Sequence, residues 1–149
     1  MCLYLKDINS QIARNDIVCY KVMFHNKQDN VICTPFRLVR PNADVLSGYA
    51  NFRAEFAETP VEKLLEPIRL DSWFHTYNPE YPAQVGEGFI HTYMFASHAV
   101  EDMGTECFAR KDYLLYRCVI PKGTEYLAGT YGAYPCYASR EIRFEGIVD

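Results

Sequence analysis

Two stretches of the chain are almost continuously apolar, Ile17–Phe24 ("IVCYKVMF") and Tyr113–Ile120 ("YLLYRCVI"). Both are rich in β-branched and aromatic residues. The first is bounded by Asn15-Asp16 and His25-Asn26, and the second is ended by Pro121. Such runs predict strands, and an apolar run without alternation suits a central strand buried on both faces. Glu141–Val148 ("EIRFEGIV") reads as a last strand. "VICTPFRLV" resumes extended structure after the polar turn His25–Asn30, and Pro35 limits it to an edge strand or irregular chain. Turn signals stand at Pro41-Asn42 and Ser47-Gly48.

"TPVEKLLEPI" has a helix start, with Thr59 as cap and Pro60 at the first helical position; Pro67 stops it after about two turns. "NPEYPAQVGEG" reads as a loop from its prolines and glycines. Gly88–Met103 alternates in its first half, then becomes a short helix from about Phe95 or Ser97 to Met103. The pattern predicts a single α+β domain over residues 1–149: an antiparallel or mixed sheet, two short helices and long loops. A chain of 149 residues has the length for one sizeable core.

The stretch Cys118–Phe144 ("CVIPKGTEYLAGTYGAYPCYASREIRF") reads as an irregular excursion between two strands, with four tyrosines and few charges. Aromatic faces stack on bases, and Arg and Lys meet phosphates. The candidate ligand-binding residues here are Lys122, Tyr126, Tyr134, Tyr137, Arg140 and Arg143, with glycines 123, 129 and 132 letting the backbone turn closely around a ligand. Tyrosines also cover sheet edges and bury their rings while the hydroxyl stays wet, so packing is the plain alternative.

The formal charge of −4 gives no bulk attraction to DNA, RNA or an anionic membrane. It is spread unevenly. Residues 54–106 carry two basic and ten acidic groups, against seven and four in residues 1–53. An anion site therefore belongs to the ends of the chain rather than its middle.

No secretion signal is legible in "MCLYLKDINSQIARNDI", and no apolar run reaches the ~18–20 residues that cross a bilayer. Six cysteines are then expected as thiols, with Cys19 and Cys118 buried in strands. His91 and His98 lie seven apart, roughly 10 Å along a helix, and are expected as one partly buried and one surface histidine rather than metal ligands. No nucleophile elbow or phosphate loop is present, and no cofactor is expected.

Three pieces, "MCLYLK…DIVCYKV", "GFIHTYMFASHA" and "CVIPKGTEYLAG…YASREIRF", together resemble a group of small, uncharacterised proteins carried by tailed phages and by gut bacteria with prophages. They span roughly half the chain and match nothing in residues 25–85. The resemblance implies a phage or mobile-element origin, and with it the bacterial cytoplasm as location. More remotely, an aromatic-basic pair on a strand, a "GF-x-x-T" step into a helix, and a late strand with glutamate are similar to ADP-ribosyltransferases. That resemblance would put Tyr20 and Lys21 on the first strand, and His91, Thr92 and Tyr93 on the nicotinamide-facing strand. Glu141 would be the catalytic acid. The chain departs from that pattern in lacking an Arg or His at the centre of the first strand and a Ser-Thr-Ser run.

The first functional expectation is a non-enzymatic binding protein that sequesters a nucleotide-like host defence signal. Its site would be walled by the tyrosine stretch and completed by a second subunit of a homo-oligomer. The alternatives are an ADP-ribosyltransferase-like enzyme using NAD, with Glu141, Tyr93 and His91 as its set, and a protein–protein inhibitor of a host defence factor.

Overall fold

In the computed structural model, residues 3–55, 57–67, 81, 83–86 and 88–148 are described. The two apolar runs form the middle of the molecule. Ile17–Asn26 is β3 and Tyr113–Ile120 is β9, paired antiparallel along eight positions from Ile17↔Ile120 to Phe24↔Tyr113. Side chains alternate across β3. Cys19 and Met23 enter one apolar cluster with Tyr116, Cys118 and Ile120 of β9, while Val22 enters another with Leu115. Both faces of the strand's middle are therefore covered, which is why its sequence shows no polar alternation, and only Val18 near its start is exposed.

Ten further strands extend the sheet: β1 (Leu3–Leu5), β2 (Gln11–Ile12), β4 (Val31–Cys33), β5 (Phe52–Arg53), β6 (Leu65–Pro67), β7 (Ala83–Val85), β8 (Ile90–Tyr93), β10 (Glu125–Tyr131), β11 (Tyr134–Ser139) and β12 (Glu141–Ile147). The order is β5-β12-β9-β3-β8-β11-β10-β1-β7-β6, with β2 added on β10 and β4 on β3, and among the described residues every strand pair is antiparallel. Helices α1 (Ala43–Leu46), α2 (Ala96–Met103) and α3 (Thr105–Ala109) are short. Helices α2 and α3 cover the Val22 face through Ala99, Val100, Met103 and Phe108. Helix α1, β5 and the residue that follows it cover the Cys19 face through Val45, Leu46, Phe52 and Ala54.

The fold is thus β-rich, not the α+β domain with two short helices and long loops that the pattern predicts. Three local differences account for it. The segment after Thr59 makes one 3₁₀ turn at Val61–Lys63 and goes straight into β6, so the expected two-turn helix is absent. Within the expected loop "NPEYPAQVGEG", residues 83–85 pair with β1 and β6; residues 78–80, 82 and 87 lie outside the described chain. Finally, the tyrosine stretch is a regular hairpin of β10 and β11, registered from Tyr126↔Ser139 to Tyr131↔Tyr134.

The glycines of this hairpin serve the chain itself. Gly132, at φ 59, makes the two-residue turn. At Gly129 a Cβ would lie 2.2 Å from the Tyr4 carbonyl oxygen, so β1 can lie beside β10 only because no side chain is there. The expected helix at Phe95–Met103 and the strand at the C-terminal end appear where the pattern puts them.

Candidate functional site

The sequence-marked residues of the hairpin do not converge. Tyr137 and Tyr134 are three apart on one strand, and a period of two sends them to opposite faces. The Tyr137 ring meets Tyr126 edge-on at 5.9 Å over the Cys19 face, and the Tyr126 hydroxyl donates to Gln11 Oε1 at 3.1 Å. Tyr134 packs on the other face, against His98 of α2 at 5.2 Å.

The basic residues nearby are engaged as well. Arg140 is buried. It donates from Nε to Glu125 at 2.9 Å and to the Thr59 carbonyl at 2.5 Å, with its guanidinium 4.5 Å from the Phe89 ring centre. It braces three segments. Arg143 pairs with Asp16 at 3.4 Å, and the Lys122 backbone N–H donates to the same carboxylate, holding Asp16 below the usual carboxylate range.

The other sequence-marked group does come together, around a break in the sheet. The edge of β3 opposite β9 is shared by two strands. β8 pairs with it at Tyr20↔Tyr93, and β4 pairs with it from Phe24↔Cys33 to Asn26↔Val31. Between these, Lys21–Met23 face no strand of the described residues on that side. Local sequence explains the break. Pro35 has no N–H and follows β4 by two residues, and the chain then turns back with Leu38 in the left-handed region at φ 55. From the other end, β8 starts only after Gly88.

Into the break opens a cavity of about 440 Å³, lined by Lys21, Phe89, His91 and Tyr93 on the sheet side and by Arg37 and Arg53 on the covering segments. Phe36 and Phe52 add further aromatic wall. The cavity draws on both clusters because it sits where the sheet parts: Phe89 and Tyr93 belong to one, Phe52 to the other.

The charges in it are unlike one another. The Lys21 ammonium donates to the His91 carbonyl oxygen at 3.0 Å. Among the described residues no carboxylate is ion-paired with it. Burial of the charged form lowers its pKa to about 8. His91 is buried, and its Nε2 lies 3.2 Å from the Val85 carbonyl, so that nitrogen carries the proton. Burial first, and the Lys21 charge second, bring its pKa down to about 3, which keeps the ring neutral. The Tyr93 hydroxyl donates to the Asp102 carboxylate of α2, and burial together with that bond pushes its pKa far up.

Across the cavity, Arg37 pairs with Glu55 at 3.3 Å, and Arg53 pairs with Glu58 and Glu141, both at 3.0 Å. Glu141 also accepts from Asn51 at 3.1 Å, so this carboxylate stands behind the arginine, fixed by two partners. The arginine pairs are solvent-exposed, and such pairs are worth only ~0–1 kcal/mol, so an incoming anion competes with them readily. Aromatic walls with one half-buried lysine and two exposed guanidiniums can hold a planar, anionic molecule.

Arg37, Arg53, Phe36, Phe52 and Phe89 were not marked by the sequence. Only the excess of basic groups in residues 1–53 pointed toward two of them. Of the histidines, His91 is buried, while His98 packs between Phe95 and Tyr134. No group of metal ligands is formed among the described residues, and none of their helices is long and apolar enough to cross a membrane. Comparison with protein-family models, with curated proteins and with solved structures finds no match to the chain.

Proposed function

We propose that this protein binds a small nucleotide-like ligand without turning it over, and that the ligand occupies the cavity at the β3 break rather than the tyrosine hairpin. The observation that carries the reading is the Lys21 ammonium, set in an aromatic-walled cavity of about 440 Å³ and bonded to a backbone carbonyl instead of a carboxylate. A phosphate would supply the counter-charge that this ammonium lacks among the described residues. Phe36, Phe52 and Phe89 offer faces for a base, worth roughly 1–3 kcal/mol by analogy with single-strand binders. In a phage-derived chain, stoichiometric capture of a host defence signal in the bacterial cytoplasm would use such a pocket.

Calorimetric titration with cyclic di- and trinucleotides, cyclic ADP-ribose isomers and NAD tests it. Binding by one of them should weaken with added salt, and should fall at least tenfold in Lys21→Met while Tyr137→Ala leaves it unchanged. Silence from the whole panel to millimolar concentration would overturn the reading, and capture of a host protein from lysate beside that silence would favour an inhibitor surface.

One observation favours an NAD-using, ADP-ribosyltransferase-like reading second. Tyr20 and Tyr93 are direct register partners beside the cavity, and Glu141 is held by an arginine that lines it. Release of nicotinamide from NAD by the wild type, lost in Glu141→Gln, would replace binding with turnover.

A further inference from the structure

Among the six lysines of the chain, Lys21 alone combines a central strand position, a half-buried stem and an amine that lines a cavity open to small molecules. Its Nζ is fixed by donation to the His91 carbonyl, so when the amine is neutral its lone pair is free for an incoming carbon. Among the described residues, the titratable groups facing it are few. Cys19 stands two residues back on β3. Tyr116 is its register partner on β9, next to Cys118, and His91 lies on β8 with a neutral ring. Arg37, Arg53 and Glu55 line the far side of the cavity.

We propose that Lys21 is an imine-forming amine, and that the cavity takes small aldehydes or ketones carrying a carboxylate or phosphate. The anionic group would be received by Arg37 and Arg53, which places the carbonyl carbon toward Nζ. The amine nitrogen attacks that carbon, and the N–H proton and carbonyl oxygen give a carbinolamine. Its hydroxyl takes a proton from solvent at the cavity mouth and leaves as water while the nitrogen lone pair closes the C=N bond as an iminium, and release of the remaining N–H proton to solvent gives the imine. No oxidant or reductant is needed. The aromatic walls favour the step that releases water. A lowered amine pKa of about 8 leaves an appreciable neutral fraction at physiological pH, where an ordinary lysine has almost none.

The inference goes beyond nucleotide binding and does not require it: the shared premise is only that the cavity admits anionic molecules. The test is to incubate the intact protein with glyoxylate near pH 7.5, reduce any imine with borohydride, and map the adducts by peptide mass spectrometry. The other five lysines are internal controls within the same tube. Lys21 should be labelled on the order of tenfold more than any of them, and its labelling should rise with a midpoint near pH 8. Lys21→Arg should abolish the dominant adduct while the far-UV spectrum stays that of the wild type. Uniform labelling of all six lysines, or an unlabelled Lys21 beside labelled surface lysines, would overturn the proposal even if nucleotides bind. Labelling of Lys21 with a silent nucleotide panel would uphold it and discard the nucleotide reading alone.

Discussion

Lys21 and His91 face each other across the break in the sheet, and both have their charged forms disfavoured by burial. Each therefore leaves a signature in stability against pH. The folded state gives up the His91 proton down to about pH 3, whereas an unfolded histidine takes one up near 6.5. The unfolded state then binds more protons in that interval, so stability should fall as pH drops from 6.5. The lowered carboxylates Asp16 and Asp112 contribute only nearer the ordinary aspartate value of 3.8, which leaves pH 6.5 to 5 to the histidine.

For Lys21 the window is pH 8 to 10.5, and there stability should rise with pH, because the unfolded lysine still holds its proton. Above pH 9 the buried thiols oppose the gain. Cys19 and Cys136 are pushed up to about 12, so the unfolded thiols ionise first. Urea midpoints of the wild type should climb between pH 8 and 9, and those of Lys21→Met should not. The same variant should be the more stable protein at pH 7, since it removes a desolvated cation that has no carboxylate partner among the described residues. A Lys21→Met protein less stable than wild type at pH 7 would mean that the ammonium is already compensated.

Within the elements, the tightest steric demand lies where β1 crosses β10. Gly129→Ala would force a Cβ to 2.2 Å from the Tyr4 carbonyl oxygen and 3.0 Å from the Leu3 side chain, so a backbone must move. Overpacking of this kind costs ~1–3 kcal/mol or more. At Gly132 an added Cβ meets open space, and the cost is only the left-handed backbone, ~1–2 kcal/mol. Denaturant midpoints should rank wild type above Gly132→Ala, and Gly132→Ala above Gly129→Ala; the reverse order would show that β1 yields freely.

These two glycines also show why the hairpin was hard to read. "GTYGAYPCYAS" carries the punctuation of a loop, yet one glycine is there for the neighbouring strand. Pro135 sits one position beyond the point where β8 stops pairing, where its missing N–H costs nothing. By contrast β9 was legible to the residue, because a strand covered on both faces writes itself as a nearly continuous apolar run, interrupted here by Arg117 alone. The cavity was legible only in part. Tyr20, Lys21, His91 and Tyr93 could be marked as strand residues, but Arg37 and Arg53 reach them only through a topology that no local pattern encodes.

At the scale of the whole molecule, the strand at the centre is among the first made, yet its longest pairing waits for a distant partner. β3 finds β9 about a hundred residues later in the chain, and β1 finds β10 still further on. Folding dominated by such distant pairings runs in roughly milliseconds to seconds, and stopped-flow refolding should fall in that range. A faster phase with the full native signal would mean that local hairpins carry the fold. On the ribosome the delay is longer. At ~5–20 residues per second, β3 emerges on the order of 5–20 seconds before its partner is synthesised. Through that interval one edge of an apolar strand has only water or another nascent chain beside it. A chain released after Asp112 would keep that edge for good. It is expected to pellet in a cell-free translation that keeps the full-length protein in the supernatant.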